Sequence, residues 1–235
     1  MEHFDNIFNR ACERKGGETA LSFLLTTALP DAQIAEYDDS RILSAFTKKI
    51  FQSGFVWRVV ENKWPEFERL FFNFDIDKIL MMPEELLEKR ATDPAIIRNA
   101  KKVMTIRDNA LMIHDVQIEN HTSFASWIAQ WPSSDIVKLW QYLKKHGSRL
   151  GGNTGPYALR ALGKDTFLLS QDVETYFRGH KLIDGGLTSL RNLNIIQDCF
   201  NQWQQQSGLS LQTLSQLIAY SVGDNRVGVE SASGQ

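Results

Sequence analysis

Cysteine is scarce in this 235-residue chain, and long apolar runs are missing. Cys12 and Cys199 lie far apart and neither has a cysteine neighbour, which excludes an iron–sulfur ligand set and a CxxC zinc site. Unpaired cysteines of this kind fit a reducing compartment. No basic and then apolar leader opens the chain, and stretches such as residues 20–29 are too short and too polar to span a membrane. We therefore expect a cytoplasmic protein with no membrane contact.

An excess of basic charge is also missing. The chain has 26 Lys and Arg against 28 Asp and Glu, a formal net charge of -2 and a pI near 6.2. This balance argues against nucleic-acid binding unless the basic residues are gathered on one face. Hydrophobic residues make up 43% of the chain. They suffice for one core, or for two lobes that share an interface.

Strand signals are few, whereas apolar residues recur with the 3.6-residue period of helices throughout the chain. We therefore predict an all-α fold. One helix is expected over 40–60 with Gly54 as its weak point, and a long helix is expected to begin at Asp93-Pro94, since Asp can cap and Pro accepts the first helical position. Further helices are predicted over 4–28 (broken by two glycines), 65–72, 76–81, 83–89, 124–130, 134–146, 157–162, 185–205 and 210–220. Residues 1–222 are predicted to form a single two-lobed helical domain, and the Gly- and Ser-rich residues 223–235 a disordered tail.

The basic residues concentrate in one segment, residues 136–164, which we call the basic hairpin. It contains no Asp or Glu, and its basic residues are Lys138, Lys144, Lys145, His146, Arg149, Arg160 and Lys164. At its centre a helix, a glycine-rich turn and a second helix follow one another, so the basic face is expected over about 134–178. Gly151, Gly152 and Gly155 allow positive φ and close approach of a partner, and free N–H groups at the second helix start would bind a phosphate.

A plain helix–helix turn, with glycine for tight packing and solvated lysines, is the alternative interpretation. The absence of acidic residues beside the turn favours the phosphate interpretation, and contacts of that kind position a protein on DNA without reading its sequence. A P-loop is excluded, because no GxxxxGK[ST] motif occurs and no strand precedes the glycines.

Several segments together resemble the 3-methyladenine DNA glycosylase I family. They are Gly54-Phe-Val-Trp57, Phe71-Phe-Asn-Phe-Asp75, the stretch 93–102 with Asn109, and Lys144-Lys-His-Gly147 with the following residues to Thr154. The similarity covers roughly residues 39–165. The resemblance implies a two-lobed helix-hairpin-helix DNA glycosylase fold. It also implies that damaged duplex DNA is the partner, and that a flipped-out alkylated base is released by N-glycosidic hydrolysis.

The resemblance also implies roles for individual residues. Trp57 would stack on the extruded base, the alternative being an ordinary core aromatic, and Tyr157 is a second candidate for the base pocket. Lys49 occupies the position of the family's recognition Glu, eight residues before the pocket Trp. A cation there would repel a positively charged methylated base, so we expect discrimination against 3-methyladenine. The residues expected to contact DNA are Lys144, Lys145, Arg149, Gly152, Thr154 and Gly155.

Asp172 follows the hairpin glycines at about the distance of the catalytic Asp in the wider helix-hairpin-helix superfamily. A carboxylate there can stabilise an oxocarbenium-like transition state or activate water. Asp172 can equally be a simple N-cap of the next helix, and the two roles are compatible. Bifunctional members of the superfamily carry a Schiff-base Lys in the hairpin. No Lys stands near Gly155-Pro156, so we predict a monofunctional enzyme.

The chain departs from the family at its termini, where Cys/His pairs clamp a zinc ion. Cys12 has no matching partner, and no C-terminal His/Cys pair is present. We therefore predict no metal and no cofactor, and expect a monomer acting near the nucleoid. Two alternatives are a non-catalytic helix-hairpin-helix DNA-binding relative and a helical protein-interaction module.

Overall fold

The computed structural model describes residues 1–222, and every regular element in that range is helical, which confirms the all-α prediction. The helices are α1 (Phe4–Lys15), α2 (Glu18–Ser22), α3 (Asp31–Ala35), α4 (Asp39–Gln52), α5 (Trp57–Leu70), α6 (Ile76–Leu80), α7 (Glu84–Ala91), α8 (Ala100–Asn120), α9 (Phe124–Ala129), α10 (Ile136–His146), α11 (Thr154–Ala161), α12 (Gln171–Gly179), α13 (Leu190–Ser207) and α14 (Leu211–Ser221). Short 3-10 turns lie at Phe72–Phe74 and Ser133–Asp135. None of the helices within residues 1–222 is long and apolar enough to cross a membrane.

The chain divides into two compact units. The terminal unit contains residues 1–28, 133–137 and the part from 165 onwards, and the central unit contains residues 29–132 and 138–164. That the two lobes form a single domain over residues 1–222 stays a prediction. The predicted disordered tail at 223–235 lies outside the described residues.

An aromatic core and a partly buried ion pair hold the terminal unit together. Phe167 and Phe200 stack with ring centroids 4.3 Å apart, and Trp203 is fully buried beside Phe200. The Glu2 carboxylate accepts two hydrogen bonds from the Arg10 guanidinium, at 2.7 and 2.9 Å. The Arg10 bonds hold the pKa of that carboxyl below its ordinary value. This pair anchors the N-terminus to the unit.

The central unit is built on α4, whose apolar residues Ile42, Phe46 and Ile50 recur every fourth position and are buried. A second cluster comes from α5 and the turn that follows it. There the Trp64 and Phe74 rings stack with centroids 5.5 Å apart and an interplanar angle of 9°. These apolar faces produce the core of the unit that carries the basic hairpin.

Several predicted helix limits are wrong. The helix expected over 65–72 begins already at Trp57, and the one expected over 185–205 begins only at Leu190. The helix expected over 40–60 ends at Gln52, because Gly54 adopts a φ of 106° that a right-handed helix does not allow. The long helix expected from Asp93 begins only at Ala100. Asp93 instead accepts from the Ala95 N–H at 2.8 Å in a turn, and the side chain of Asn99 caps the helix.

A buried carboxylate joins α4 to the start of α9. Asp39 is 5% exposed and accepts from the N–H groups of Phe124 (2.7 Å) and Ala125 (2.8 Å), and from the Gln117 amide (2.6 Å). A negative charge at a helix N-terminus is stabilised by the unpaired N–H groups there. Asp39 therefore fixes three elements of the central unit, α4, α8 and α9, around one ion.

We expect Asp39→Asn to lower the free energy of unfolding by about 3 kcal/mol. The amide has no charge, and its NH2 group faces donors where the carboxylate accepted from them. Urea unfolding followed by circular dichroism measures the loss. Asp77→Asn, an exposed Asp in the first turn of α6, is the matched control and should change stability by less than about 0.5 kcal/mol. Equal effects of the two variants would contradict this role of Asp39.

Candidate functional site

A cavity of about 270 Å³ lies in the central unit, where the α4–α5 turn faces the start of α11. It contains all three residues that the sequence assigned to a base pocket, Lys49, Trp57 and Tyr157. The remaining lining residues are Gln52, Ser53, Asn153 and Thr154. Segments about 100 residues apart in the chain therefore meet at one concave surface.

Trp57 is the first residue of α5, and 53% of its surface is exposed. An ordinary core aromatic would be buried, so that alternative for Trp57 is wrong. The indole ring meets the Tyr157 ring edge to face, with centroids 6.5 Å apart and an interplanar angle of 83°. The two aromatic side chains form adjoining walls on which a planar ligand can stack.

Lys49 lies in the last turn of α4, and its ammonium points along the cavity wall. The Nζ atom donates to Oε1 of Gln52 at 2.7 Å and lies 4.6 Å from the Trp57 ring centroid, a cation–π distance. Burial lowers the pKa of Lys49 below its ordinary value; the Glu61 carboxylate opposes this shift and the Lys48 charge adds to it. Lys49 is thus a half-buried cation held against an aromatic face.

Gln52 orients this cation, and the sequence analysis missed it. Its Nε2 donates to Oε1 of Glu61 at 2.8 Å, so its Oε1 is turned towards Lys49. The other Glu61 oxygen pairs with Lys48 at 3.1 Å. The Glu61 carboxylate is therefore bound to Gln52 and Lys48. The spacing of Gln52, three residues after Lys49 on the same helix, is the signal that could have identified it.

Lys102 positions the turn that carries the cavity. It is only 7% exposed, and its Nζ atom donates to the carbonyl oxygens of Ile50 (2.6 Å) and Ser53 (2.5 Å) at the end of α4. An ammonium there complements the negative end of the helix dipole. Burial lowers the pKa of Lys102, and the nearby Arg149 charge lowers it further. Lys102 lies in the stretch 93–102 that resembles the family, but no role was predicted for it.

The basic hairpin forms as a helix–turn–helix of α10 and α11. Lys144, Lys145 and Arg149 are exposed, as binding to phosphates requires. Gly152 adopts a φ of 61° and is also exposed. Gly155 is needed for close packing, since a Cβ there would lie 2.6 Å from the Leu150 carbonyl oxygen.

The hairpin turn is fastened to α8 by Asn109, whose side chain is fully buried. Its Nδ2 donates to the Ser148 carbonyl at 3.1 Å, and its Oδ1 accepts from the Ser148 N–H at 2.8 Å. Two hydrogen bonds between one side-chain amide and the backbone N–H and C=O of one residue fix both position and orientation. Since Lys102 lies on the same helix, α8 holds both the hairpin and the cavity turn.

Two expectations about the hairpin are wrong. Lys164 is not part of a basic face: it is 1% exposed, and its Nζ bonds Asp31 at 2.9 Å and the Ala129 carbonyl at 2.8 Å. The start of α11 also lacks the expected free N–H groups. Gly155 donates to the Leu150 carbonyl, Thr154 donates to the Gly151 carbonyl at 3.4 Å, and Pro156 has no N–H. Thr154 instead lines the cavity.

Asp172 belongs to the terminal unit, in the first turn of α12. It is not the N-cap, because Ser170 holds that place and accepts from the Val173 N–H at 3.3 Å. The capping interpretation is therefore wrong. Burial lowers the pKa of Lys15, and the Asp172 charge raises it in opposition. Asp172 thus lies within electrostatic reach of a buried ammonium.

The cysteine thiols are unpaired. Burial raises the pKa of the Cys199 thiol to about 11, and burial also raises that of Cys12. Within residues 1–222, no group of three or more His, Cys, Asp or Glu side chains is placed to hold a metal ion.

Comparison with known proteins identifies the family of the chain. The model of the methyladenine glycosylase family matches residues 33–159. One similar solved structure is a 3-methyladenine DNA glycosylase I, with 27% identity over 55% of this chain and 80% of that chain and a TM-score of 0.47. Another is the Staphylococcus aureus 3-methyladenine DNA glycosylase I, with 18% identity over 67% and 91% of the two chains and a TM-score of 0.48. No curated protein matches the chain.

Proposed function

The chain belongs to the methyladenine glycosylase family, hydrolytic N-glycosylases that release alkylated bases, and we propose that its 270 Å³ cavity receives the damaged base. In this proposal the protein is a monofunctional enzyme that acts as a monomer on duplex DNA near the nucleoid. The target nucleotide is flipped out of the helix, since an enzyme cannot reach a glycosidic bond inside the stack.

The observation that carries this proposal is an exposed aromatic wall in a family member. Trp57 and Tyr157 line an open cavity instead of filling the core. Aromatic faces bind flipped bases by stacking. The exposed cations Lys144, Lys145 and Arg149 lie in the same unit and would neutralise phosphates of the flanking strand. Gly152, with positive φ and exposed, would let the DNA backbone approach the turn.

Asp172 remains our candidate for the carboxylate that stabilises positive charge on the deoxyribose. As the glycosidic bond breaks, C1′ gains oxocarbenium character, and a fixed negative charge lowers the energy of that state more than that of the ground state. Its proximity to the buried Lys15 supports a structural role as well, so a test has to separate the two.

A non-catalytic DNA-binding relative is the second candidate. The Lys49 ammonium lies 4.6 Å from the Trp57 ring centroid, on the ring that would stack with a base. If that position were fixed, the cavity would be closed to a flipped base while the hairpin still bound DNA.

Base release under single-turnover conditions decides between the two candidates. We expect the wild-type protein to release bases from alkylated duplex DNA, and Trp57→Ala to lower the rate by about 10- to 100-fold, the value of one base–aromatic stack. Phe23→Ala is the control, since it removes an aromatic ring that is 85% exposed and does not line the cavity. DNA binding without any base release would establish the non-catalytic candidate.

The salt dependence of DNA binding tests the basic hairpin. We expect Lys145→Ala to make the slope of log K against log[salt] shallower by about 0.9 and to weaken all duplexes alike, because one phosphate contact is lost. Fluorescence anisotropy at several salt concentrations measures the slope. Lys89→Ala, which removes an exposed Lys on α7, should leave it unchanged. The same slope in Lys145→Ala and wild type would remove the hairpin from the proposed interface.

Replacing Asp172 with Asn removes its charge and keeps its shape. We expect excision to fall by a factor on the order of 100 while DNA affinity barely changes, because the charge acts mainly in the transition state. Single-turnover base release, binding and thermal unfolding are measured on the same preparation. A loss of stability with unchanged turnover would instead assign Asp172 to the support of Lys15.

A further inference from the structure

Lys49 is the charged side chain in the cavity lining. We propose that Lys49 is a catalytic residue that gives a proton to the departing base, and that the enzyme therefore acts on neutral purine lesions in preference to cationic ones. This inference rests on the proposed glycosylase function and names its substrate class.

The position of the Lys49 ammonium makes such a donation possible. An ammonium has three N–H donors. One is directed to Oε1 of Gln52 at 2.7 Å, and the ammonium lies over the Trp57 ring, with its centroid at 4.6 Å. A base that stacks on this face of Trp57 takes the place of the ammonium over the ring, and the ammonium then lies at the edge of the base. Because Glu61 fixes Gln52, the Lys49 cation is pre-oriented along the wall.

The chemistry of the leaving group explains why a cation is useful there. When the bond from C1′ to the base nitrogen breaks, the bonding electron pair goes to the base. A purine methylated on a ring nitrogen that carries no proton, such as N3 of adenine or N7 of guanine, is cationic in DNA and leaves as a neutral molecule, so it needs no proton. A neutral purine leaves as an anion. Lys49 transfers its Nζ proton to a ring nitrogen of that purine, water adds to C1′, and the proton that the water loses restores the ammonium through solvent.

The surrounding charges favour the same substrate class. The lining residues include Lys49 and no carboxylate. The charged groups that act on Lys49 are Glu61, which is bound to Gln52 and Lys48, and Lys48 itself. A cationic lesion would therefore meet a like charge in a partly desolvated site. Burial lowers the pKa of Lys49, which makes the ammonium a better proton donor near neutral pH.

Other lining groups indicate the kind of purine edge that fits. Thr154 and Tyr157 bring hydroxyl groups to the same cavity. Hydroxyl and ammonium groups donate to carbonyl oxygens and unprotonated ring nitrogens. A deaminated purine such as hypoxanthine has both acceptors and no positive charge. We therefore choose hypoxanthine as the neutral probe and 7-methylguanine as the cationic probe, each in a defined duplex.

The test compares single-turnover release of the two bases by the wild type and by Lys49→Met, which keeps the length of the side chain and removes its charge and donors. We expect the wild type to release hypoxanthine faster than 7-methylguanine. Lys49→Met should lower hypoxanthine release by about 100-fold or more, the usual contribution of a general acid. Release of 7-methylguanine should stay the same or rise. Lys89→Met, at an exposed site on α7, should change neither rate.

The pH profile separates proton donation from mere positioning. Hypoxanthine release should fall as pH rises through the lowered pKa of Lys49, because the ammonium is lost. That alkaline limb should be absent for 7-methylguanine and absent in Lys49→Met. It should persist in Tyr157→Phe, which removes the tyrosine hydroxyl of the lining. Lys49→Arg keeps the charge but is too weak an acid to give up its proton, so it should bind hypoxanthine DNA and release the base slowly.

The possible outcomes are distinct. Release of 7-methylguanine by the wild type, with hypoxanthine untouched and Lys49→Met unaffected, would overturn the role of Lys49 and leave the proposed glycosylase function standing. Release of neither base, from a protein that still releases bases from alkylated duplex DNA, would overturn this inference and leave the glycosylase function standing. No release from any of these duplexes, although the protein binds them, would overturn both. A loss in Lys49→Met that is equal for both bases would show that Lys49 supports the structure of the cavity and not the leaving group.

Discussion

The buried Lys102 ammonium determines where the cavity is. This ammonium is buried, and the free-energy cost of its desolvation is offset by hydrogen bonds to the carbonyl oxygens of Ile50 and Ser53. The end of α4 would otherwise leave these carbonyls without partners. Because Lys102 bonds these carbonyls, the chain can turn sharply at Gly54. Helix α5 then begins at Trp57, whose indole faces outward. A neutral side chain at 102 would leave the carbonyls buried and unpaired, and the turn would then rearrange to reach solvent. Lys102 thus stabilises the turn that lies between Lys49 and Trp57 in the chain.

Helix α8, which carries Lys102, also positions the basic hairpin. Asn109 lies two helical turns beyond Lys102, and its side-chain amide bonds both the N–H and the C=O of Ser148. The segments that carry the basic residues and the aromatic wall are thus both bonded to one helix, α8. They do not depend on a flexible loop for their relative position. In the proposed function, a nucleotide that leaves the stack reaches the cavity while its flanking phosphates stay bound, which requires a fixed spacing between the phosphate contacts and the pocket. Within the central unit, α8 would fix that spacing.

Sequence reasoning worked where a local pattern has one physical meaning and was wrong where tertiary partners decide. The apolar period of α4 and the glycines of the hairpin predicted helices and a turn that the structure contains. Lys164 looked like a surface cation, since nothing near it in sequence shows that Asp31, 133 positions away, will pair with it. The N–H groups of Thr154 and Gly155 looked free, because the carbonyl groups that bind them lie inside the same turn. Gln52 was missed for a related reason: its importance comes from Glu61, on another helix.

The charge of the side chain at position 49 decides which kind of leaving group the proposed site can assist. A carboxylate at this position would stabilise a base that is already positive and would do nothing for a base that must leave as an anion. An ammonium does the reverse. It raises the energy of the cationic ligand in the ground state and lowers that of the anionic leaving group in the transition state. The Gln52–Glu61–Lys48 network holds the ammonium at the cavity without neutralising it, because the Glu61 carboxylate bonds Gln52 and Lys48. Direct pairing of Glu61 with Lys49 would stabilise the fold equally well, and would remove the free cation on which the choice of leaving group depends.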